Sequence, residues 1–140
     1  MAWMIRLRKA RCRVHCYSTE DPDKVKRAVE NLIKDTHFTV RTTSLEGHYG
    51  DIIKVYEYDI LDENDVARLL RKIVKAVGVS SLGVEEKSGA GGRIHVRLSK
   101  QKAYGGVVDV EEFDPVKIEF TYEGDWREIF RWQESTQTYT

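Results

Sequence analysis

Two stretches of this chain read as helices with one buried side, and each therefore demands an apolar surface to lie on. Val25, Ala28, Val29, Leu32 and Ile33 recur at helical spacing, while Lys24, Lys26, Arg27, Glu30 and Lys34 take the opposite side. Asp21 and Pro22 open this helix as an N-cap acceptor followed by a residue with no amide hydrogen to satisfy. The second stripe is Val66, Leu69, Leu70, Ile73, Val74 and Val77. It follows Asp62 as cap, carries Glu63 and Asp65 where the helix dipole is positive, and stops at Gly78. One sheet with a single apolar face can receive both helices.

The remaining sequence supplies such a sheet. From Arg11 to Ser18, Cys12, Val14 and Cys16 alternate with Arg13, His15 and Tyr17. Upstream, Trp3, Ile5 and Leu7 alternate on odd numbers, so the phase switches near Lys9 and Ala10 and predicts a break or bulge. Phe38 to Leu45 is rich in β-branched residues, Glu46 to Asp51 carries two glycines and reads as a hairpin loop, and Ile52 to Ile60 is the returning strand. Ser88-Gly89-Ala90-Gly91-Gly92 reads as a flexible loop. After it, Ile94, Val96 and Leu98 alternate with Arg93, His95, Arg97 and Ser99. Further strands are predicted near Val107–Val110 and Val116–Tyr122, and Trp126, Ile129 and Phe130 suit a helical turn or a strand equally. The predicted order is β-α-β-β-α-β-β-β. This is an α+β fold with a single mixed β-sheet and two amphipathic helices packed on one face. A chain of 140 residues fits one domain, 1–140, with its core about residues 10–123 and a polar, loose tail at 134–140.

Several function classes find no support. Nothing is apolar for long enough to cross a bilayer, and arginines from Arg6 onward interrupt any secretory apolar run, so a cytoplasmic protein is expected. Cys12 and Cys16 on one strand would lie about 13 Å apart, against the roughly 7 Å a disulfide allows, and read as core thiols of a reducing compartment. His15, His48 and His95 show no paired ligand spacing with these cysteines, so no metal or other cofactor is expected. The glycine loop at 88–92 lacks the Gly-Lys-Ser/Thr ending of a phosphate-cradling loop. No acid–base pair is legible around His48, His95 or Glu46, and the expectation is a protein without catalytic activity.

Charge placement is more informative than its zero total. Arg6, Arg8, Lys9, Arg11 and Arg13 precede the first acid, and Arg93, Arg97, Lys100 and Lys102 form a second acid-free run. From Ala103 onward nine acids face three bases. Phosphate backbones attract such basic segments through counterion release. Alternatively, the arginines are solvated or paired with the acidic strands. His15 and Tyr17 interleave with Arg11 and Arg13, and Tyr104 follows Lys100, Gln101 and Lys102. Planar rings beside cations suit unstacked bases and phosphates of RNA.

Four features carry a family resemblance: His15 to Asp21 (HCYSTED), Leu45 to Asp51 (LEGHYGD), Arg97 to Gly105 (RLSKQKAYG) and the spacing of the two helices. The chain resembles the archaeal family described as RNA-binding domain proteins or predicted exosome subunits, over roughly residues 10 to 123. It departs from the family pattern at Asp51-Ile52, where Asn-Pro is common, and at Leu98, where Phe is common. The resemblance implies a fold similar to the large-subunit ribosomal protein that binds 5S RNA. It supports an RNA-associated role, and the sequence is read as a non-enzymatic RNA-binding domain that is an accessory of an RNA-processing (exosome) or ribosome-associated assembly. In this reading Arg11, Arg13 and Arg97 neutralise phosphates, and Lys100, Gln101 and Lys102 fix backbone or base edges. Tyr104 or Tyr49 stacks, His15 lies beside the arginines, and His48 with Gly47 shapes the adjacent loop. The competing expectation is a protein-interaction module that joins a complex through a sheet edge or the acidic C-terminal segment. One continuous basic surface favours RNA, whereas basic and acidic strands paired side by side favour a protein contact.

Overall fold

The computed structural model describes residues 4–87 and 90–132. In chain order the elements are β1 (Ile5–Cys16), α1 (Pro22–Leu32), β2 (Phe38–Glu46), β3 (Ile52–Ile60), α2 (Glu63–Val77), β4 (Gly83–Lys87), β5 (Gly91–Leu98), α3 (Lys100–Tyr104) and β6 (Val116–Gly124). A 3₁₀ turn at Val79–Ser81 links α2 to β4, and residues 128–132 are helical. The six strands form one sheet in the order β2-β3-β1-β6-β5-β4.

The α+β architecture is as expected, but the sheet is antiparallel at every ladder instead of mixed. The reason lies in the helical crossovers. The β1-α1-β2 crossover skips one strand position, and β3 fills the gap antiparallel to both neighbours. The α2 crossover likewise carries the chain from β3 to the far edge, where β4 and β5 form a hairpin. The two long helices, α1 and α2, thus each join strands that run the same way yet never touch.

Even-numbered residues of the central strands face inward. Ala10, Cys12, Val14, Tyr56, Tyr58, Ile94, Val96, Ile118 and Phe120 are buried together with Val25, Val29, Leu32, Leu69, Leu70 and Ile73 of α1 and α2. At about 1.5–3 kcal/mol for each large apolar side chain removed from water, this layer dominates the folding energy. Both N-caps form as the sequence predicts: Asp21 accepts from the Asp23 amide at 2.9 Å, and Asp62 from the amides of Asn64 and Asp65. Buried Asp65 also accepts from the His37 amide and ring and from Arg68, tying the entry of β2 to the first turn of α2. These donors hold its carboxyl below the ordinary range.

The phase switch in β1 is a bulge. Leu7 faces Tyr122 and Lys9 faces Thr121, so Arg8 is the extra residue, and the buried side moves from odd to even numbers. Trp3 of that alternation, Ser88 and Gly89 of the glycine loop, and the tail 134–140 lie outside the described residues. Gly91 and Gly92 are not loop but part of β5, opposite Lys87 and Glu86. The strand expected at Val107–Val110 is reduced to one bridge between Val110 and Leu98. Trp126 to Phe130 enter the helical turn, with Ile129 buried. No helix among the described residues is long and apolar enough to cross a membrane.

Candidate nucleic-acid interface

Helices cover one side of the sheet, so the odd-numbered residues of β3, β5, β6 and of β1 beyond its bulge form an open face whose character is set by cross-strand register. Two neighbouring rows differ sharply. In one, Arg11 lies between Asp59 and Glu119 and is paired: its Nε donates to Asp59 at 2.8 Å. In the next, Arg13 lies opposite Lys117 on β6, and Lys117 lies opposite Arg97 on β5. The carboxylate on Arg13's other side, Glu57, is engaged by Arg41 at 3.2 Å and by Arg11 at 3.9 Å. Among the described residues Arg13, Lys117 and Arg97 have no ion pair. Three cations thus stand on three adjacent strands, about 10 Å from first to last at ordinary strand spacing. Like charges directly opposite one another destabilise a sheet. An anion laid across the row would relieve that cost.

The row is the last complete one before one end of the sheet, and that end gathers the loops singled out in the sequence. Here lie the C-terminal ends of β1, β2 and β5 and the N-terminal ends of β3 and β6. At the end of β1, the His15 ring is 6.3 Å from that of Tyr17 and nearly parallel to it. Burial, then the adjacent Arg13 charge, hold the His15 imidazole below its ordinary range, so at neutral pH it offers a planar uncharged ring. The β2–β3 hairpin runs two residue pairs past the Cys16–Lys54 pair and ends in Gly47, His48, Tyr49 and Gly50. His48 and Tyr49 meet edge to face at 4.9 Å, and Tyr49 is 90% exposed.

The Arg97–Gly105 segment runs from the end of β5 into the short helix α3, which the sequence does not announce. Ser99 caps α3 through its Oγ, which accepts from the Lys102 amide at 3.1 Å. Asn31 of α1 closes the other end by donating to the carbonyls of Ala103 and Tyr104. This small helix changes the roles of its residues. Lys100 turns inward: its side chain is 10% exposed, and its Nζ donates to Asp114 at 2.7 Å, to Glu20 at 3.0 Å and to the His15 carbonyl at 2.9 Å. It joins four segments and is not a free cation. Lys102 is exposed but held by Asp109 at 2.5 Å. Gln101 and Tyr104 instead line a groove of about 600 Å³ between α1, α3 and the segment before β6. Within the candidate set, Arg13, His15 and Arg97 therefore converge on the open face near this end. His48 and Tyr49 sit at the hairpin tip, Gln101 and Tyr104 on the helical side, and Arg11, Lys100 and Lys102 are engaged by carboxylates.

The sequence model of a family described by RNA binding matches residues 9–122. The chain belongs to this RNA-binding family. A relative in Pyrococcus abyssi (strain GE5 / Orsay), RNA-binding protein PAB1135, is 32% identical over 127 residues, which cover 83% of this chain and 81% of that protein. Two solved structures share the fold. Mth689, a DUF54 protein from Methanothermobacter thermautotrophicus, has a TM-score of 0.68 at 24% identity, covering 95% of this chain and 97% of that one. SSO0741 from Sulfolobus solfataricus has a TM-score of 0.69 at 17% identity, covering 94% and 99%.

The RNA-binding family match spans the cationic row, the hairpin tip and the groove. Two contributors are missing from the sequence-derived set. Lys117 stands alone among acids in its own stretch, and only register brings it between Arg13 and Arg97. Phe113 follows Glu111 and Glu112 in an acidic loop, where nothing in the sequence marks its ring as part of a groove.

Proposed function

We propose that this protein is a non-enzymatic RNA-binding module that takes the sugar–phosphate backbone across the open face of its sheet, as an accessory of an RNA-processing or ribosome-associated assembly. The observation that carries the reading is the row Arg13–Lys117–Arg97, three cations in register with no ion pair among the described residues, beside a neighbouring row whose arginine, Arg11, is paired with Asp59. Family membership and the naming of the Pyrococcus relative as RNA-binding support the same partner. Backbone contacts of this kind give affinity and orientation without sequence readout.

The test is binding of labelled single-stranded and structured RNA over a series of salt concentrations. The triple variant Arg13→Ala/Lys117→Ala/Arg97→Ala should bind more weakly, and its log–log salt slope on single strands should be shallower by roughly two, the counterions of three phosphates. Arg11→Ala, which removes a cation already matched by Asp59, should leave the slope unchanged. A triple variant with wild-type affinity and slope would reject the row as the RNA contact. Absence of binding by the wild type at low salt would instead favour the second reading, in which the protein joins a complex through β2. That edge strand is exposed in all nine residues and displays Phe38, Val40 and Leu45.

A further inference from the structure

The groove between α1 and α3 is chemically unlike the cationic row. Five charged side chains line it, and three of them, Lys100, Glu20 and Asp114, satisfy one another. That leaves Lys24 and Glu111, one of each sign, so the groove has no excess of positive charge to hold a phosphate. What it offers is rings. Phe113 is 84% exposed, and Tyr104 is exposed with the Lys24 ammonium 6.0 Å from its ring centre. Val25 and Ala28 of α1 supply an apolar wall. Gln101 also lines it, and its amide has no hydrogen-bond partner among the described residues. A free carboxamide presents a donor and an acceptor side by side, the pair that reads a base edge. The volume of about 600 Å³ falls within the range of small-molecule sites, roughly 300–1,000 Å³.

The position is as informative as the lining. Ser99, on the wall of the groove, is two residues beyond Arg97, at most roughly 7 Å along the backbone. Asp114, also in the lining, is three residues before Lys117. A strand lying on the cationic row is therefore within reach of the groove around the end of the sheet.

We infer that the α1–α3 groove captures one unstacked nucleobase of a single-stranded RNA, stacked against Phe113 and Tyr104 and hydrogen-bonded at its edge by Gln101. This rests on the RNA-binding reading and adds to it a base-recognition site on the side of the molecule opposite the backbone contacts. Glu111 is placed to accept from an exocyclic amino group, and Lys24 to steady the rim.

The experiment pairs a short oligoribonucleotide carrying one 2-aminopurine with its abasic counterpart, titrated against the wild type, Phe113→Ala and Gln101→Ala at several salt concentrations. The wild type should change the 2-aminopurine emission and bind the base-containing strand roughly tenfold more tightly than the abasic one, the usual worth of a single stacked base. Phe113→Ala, at a solvent-exposed position, should lose most of that margin and the emission change, and Gln101→Ala should lose part of it. Equal affinity for the two strands with a normal salt slope would overturn the groove and leave the backbone reading standing. Failure of the wild type to bind either strand at low salt would overturn both. Saturable binding of free adenosine without RNA binding would also overturn the inference, assigning the groove to a nucleoside instead.

Discussion

Lys100 and Arg13 are both basic residues of the candidate site, yet the fold uses them in opposite ways. Lys100 holds the ends of β1 and α3 together with the loops carrying Glu20 and Asp114. Removing one partner of a buried ion pair leaves charge without a counterion, and the full effect is about 3–5 kcal/mol. Glu20 and Asp114 keep some contact with water, so Lys100→Ala should cost about 2–3 kcal/mol, read as a lower denaturation midpoint at unchanged slope. Lys102→Ala, at the exposed pair with Asp109, should leave the midpoint where it was. Equal losses for the two would contradict a structural role for Lys100. Loss of RNA binding in a Lys100 variant would accordingly report unfolding of the sheet end, whereas Arg13 can be changed without touching any ion pair among the described residues.

At the level of elements, legibility followed periodicity. The two long helices, their aspartate caps, the 46–51 hairpin and the phase switch in β1 are each written in the spacing of apolar residues or in a residue type with one conformational use, as in Gly50 at φ +83°. Elements without such a signature are not legible in the sequence. The five residues of α3 bury only Ala103, too few for a helical stripe to show. Val107 to Val110 have strand composition, but the chain there bonds back through Ser99 and Arg97 and forms one bridge. In β4 only Val84 is a large apolar residue, and the strand exists because β5 offers it an edge. Gly92 shows what that pairing requires. A Cβ there would sit 1.9 Å from the Glu85 carbonyl oxygen, a backbone atom that cannot swing away. Gly92→Ala should therefore cost about 1–3 kcal/mol, the range for overpacking. It should also raise hydrogen exchange selectively in β4, and a variant with wild-type stability and β4 protection would refute this packing.

Across the whole molecule, the neutral total charge conceals a division of labour between register and topology. Pairing neutralises most of the basic segments: Arg6 with Glu63, Arg11 with Asp59, Arg41 with Glu57 and Arg93 with Glu119. Apart from Lys9 at the bulge, the cations left unpaired on the open face stand near one end, and a linear count of charges could not foresee this because Lys117 reaches the row only through folding. Four inter-strand spacings, roughly 19 Å, separate β5 from β2, so the hairpin tip stands well to the side of Arg97 and Lys117. An RNA too short to cross the sheet cannot engage the row and the exposed Tyr49 ring together. Affinity should accordingly grow with oligonucleotide length within the span of about 4–16 nucleotides typical of single-strand binding folds. Tyr49→Ala should weaken binding of strands near the upper end of that span by roughly tenfold, one stacked base, and leave the shortest strands unaffected. Tyr49 lies at the end of a turn with no contact to the core, so the variant's thermal midpoint should match the wild type. Uniform weakening at every length would place Tyr49 beside the row, against the topology. No weakening at any length would confine the RNA to β1, β6, β5 and the sheet end next to them.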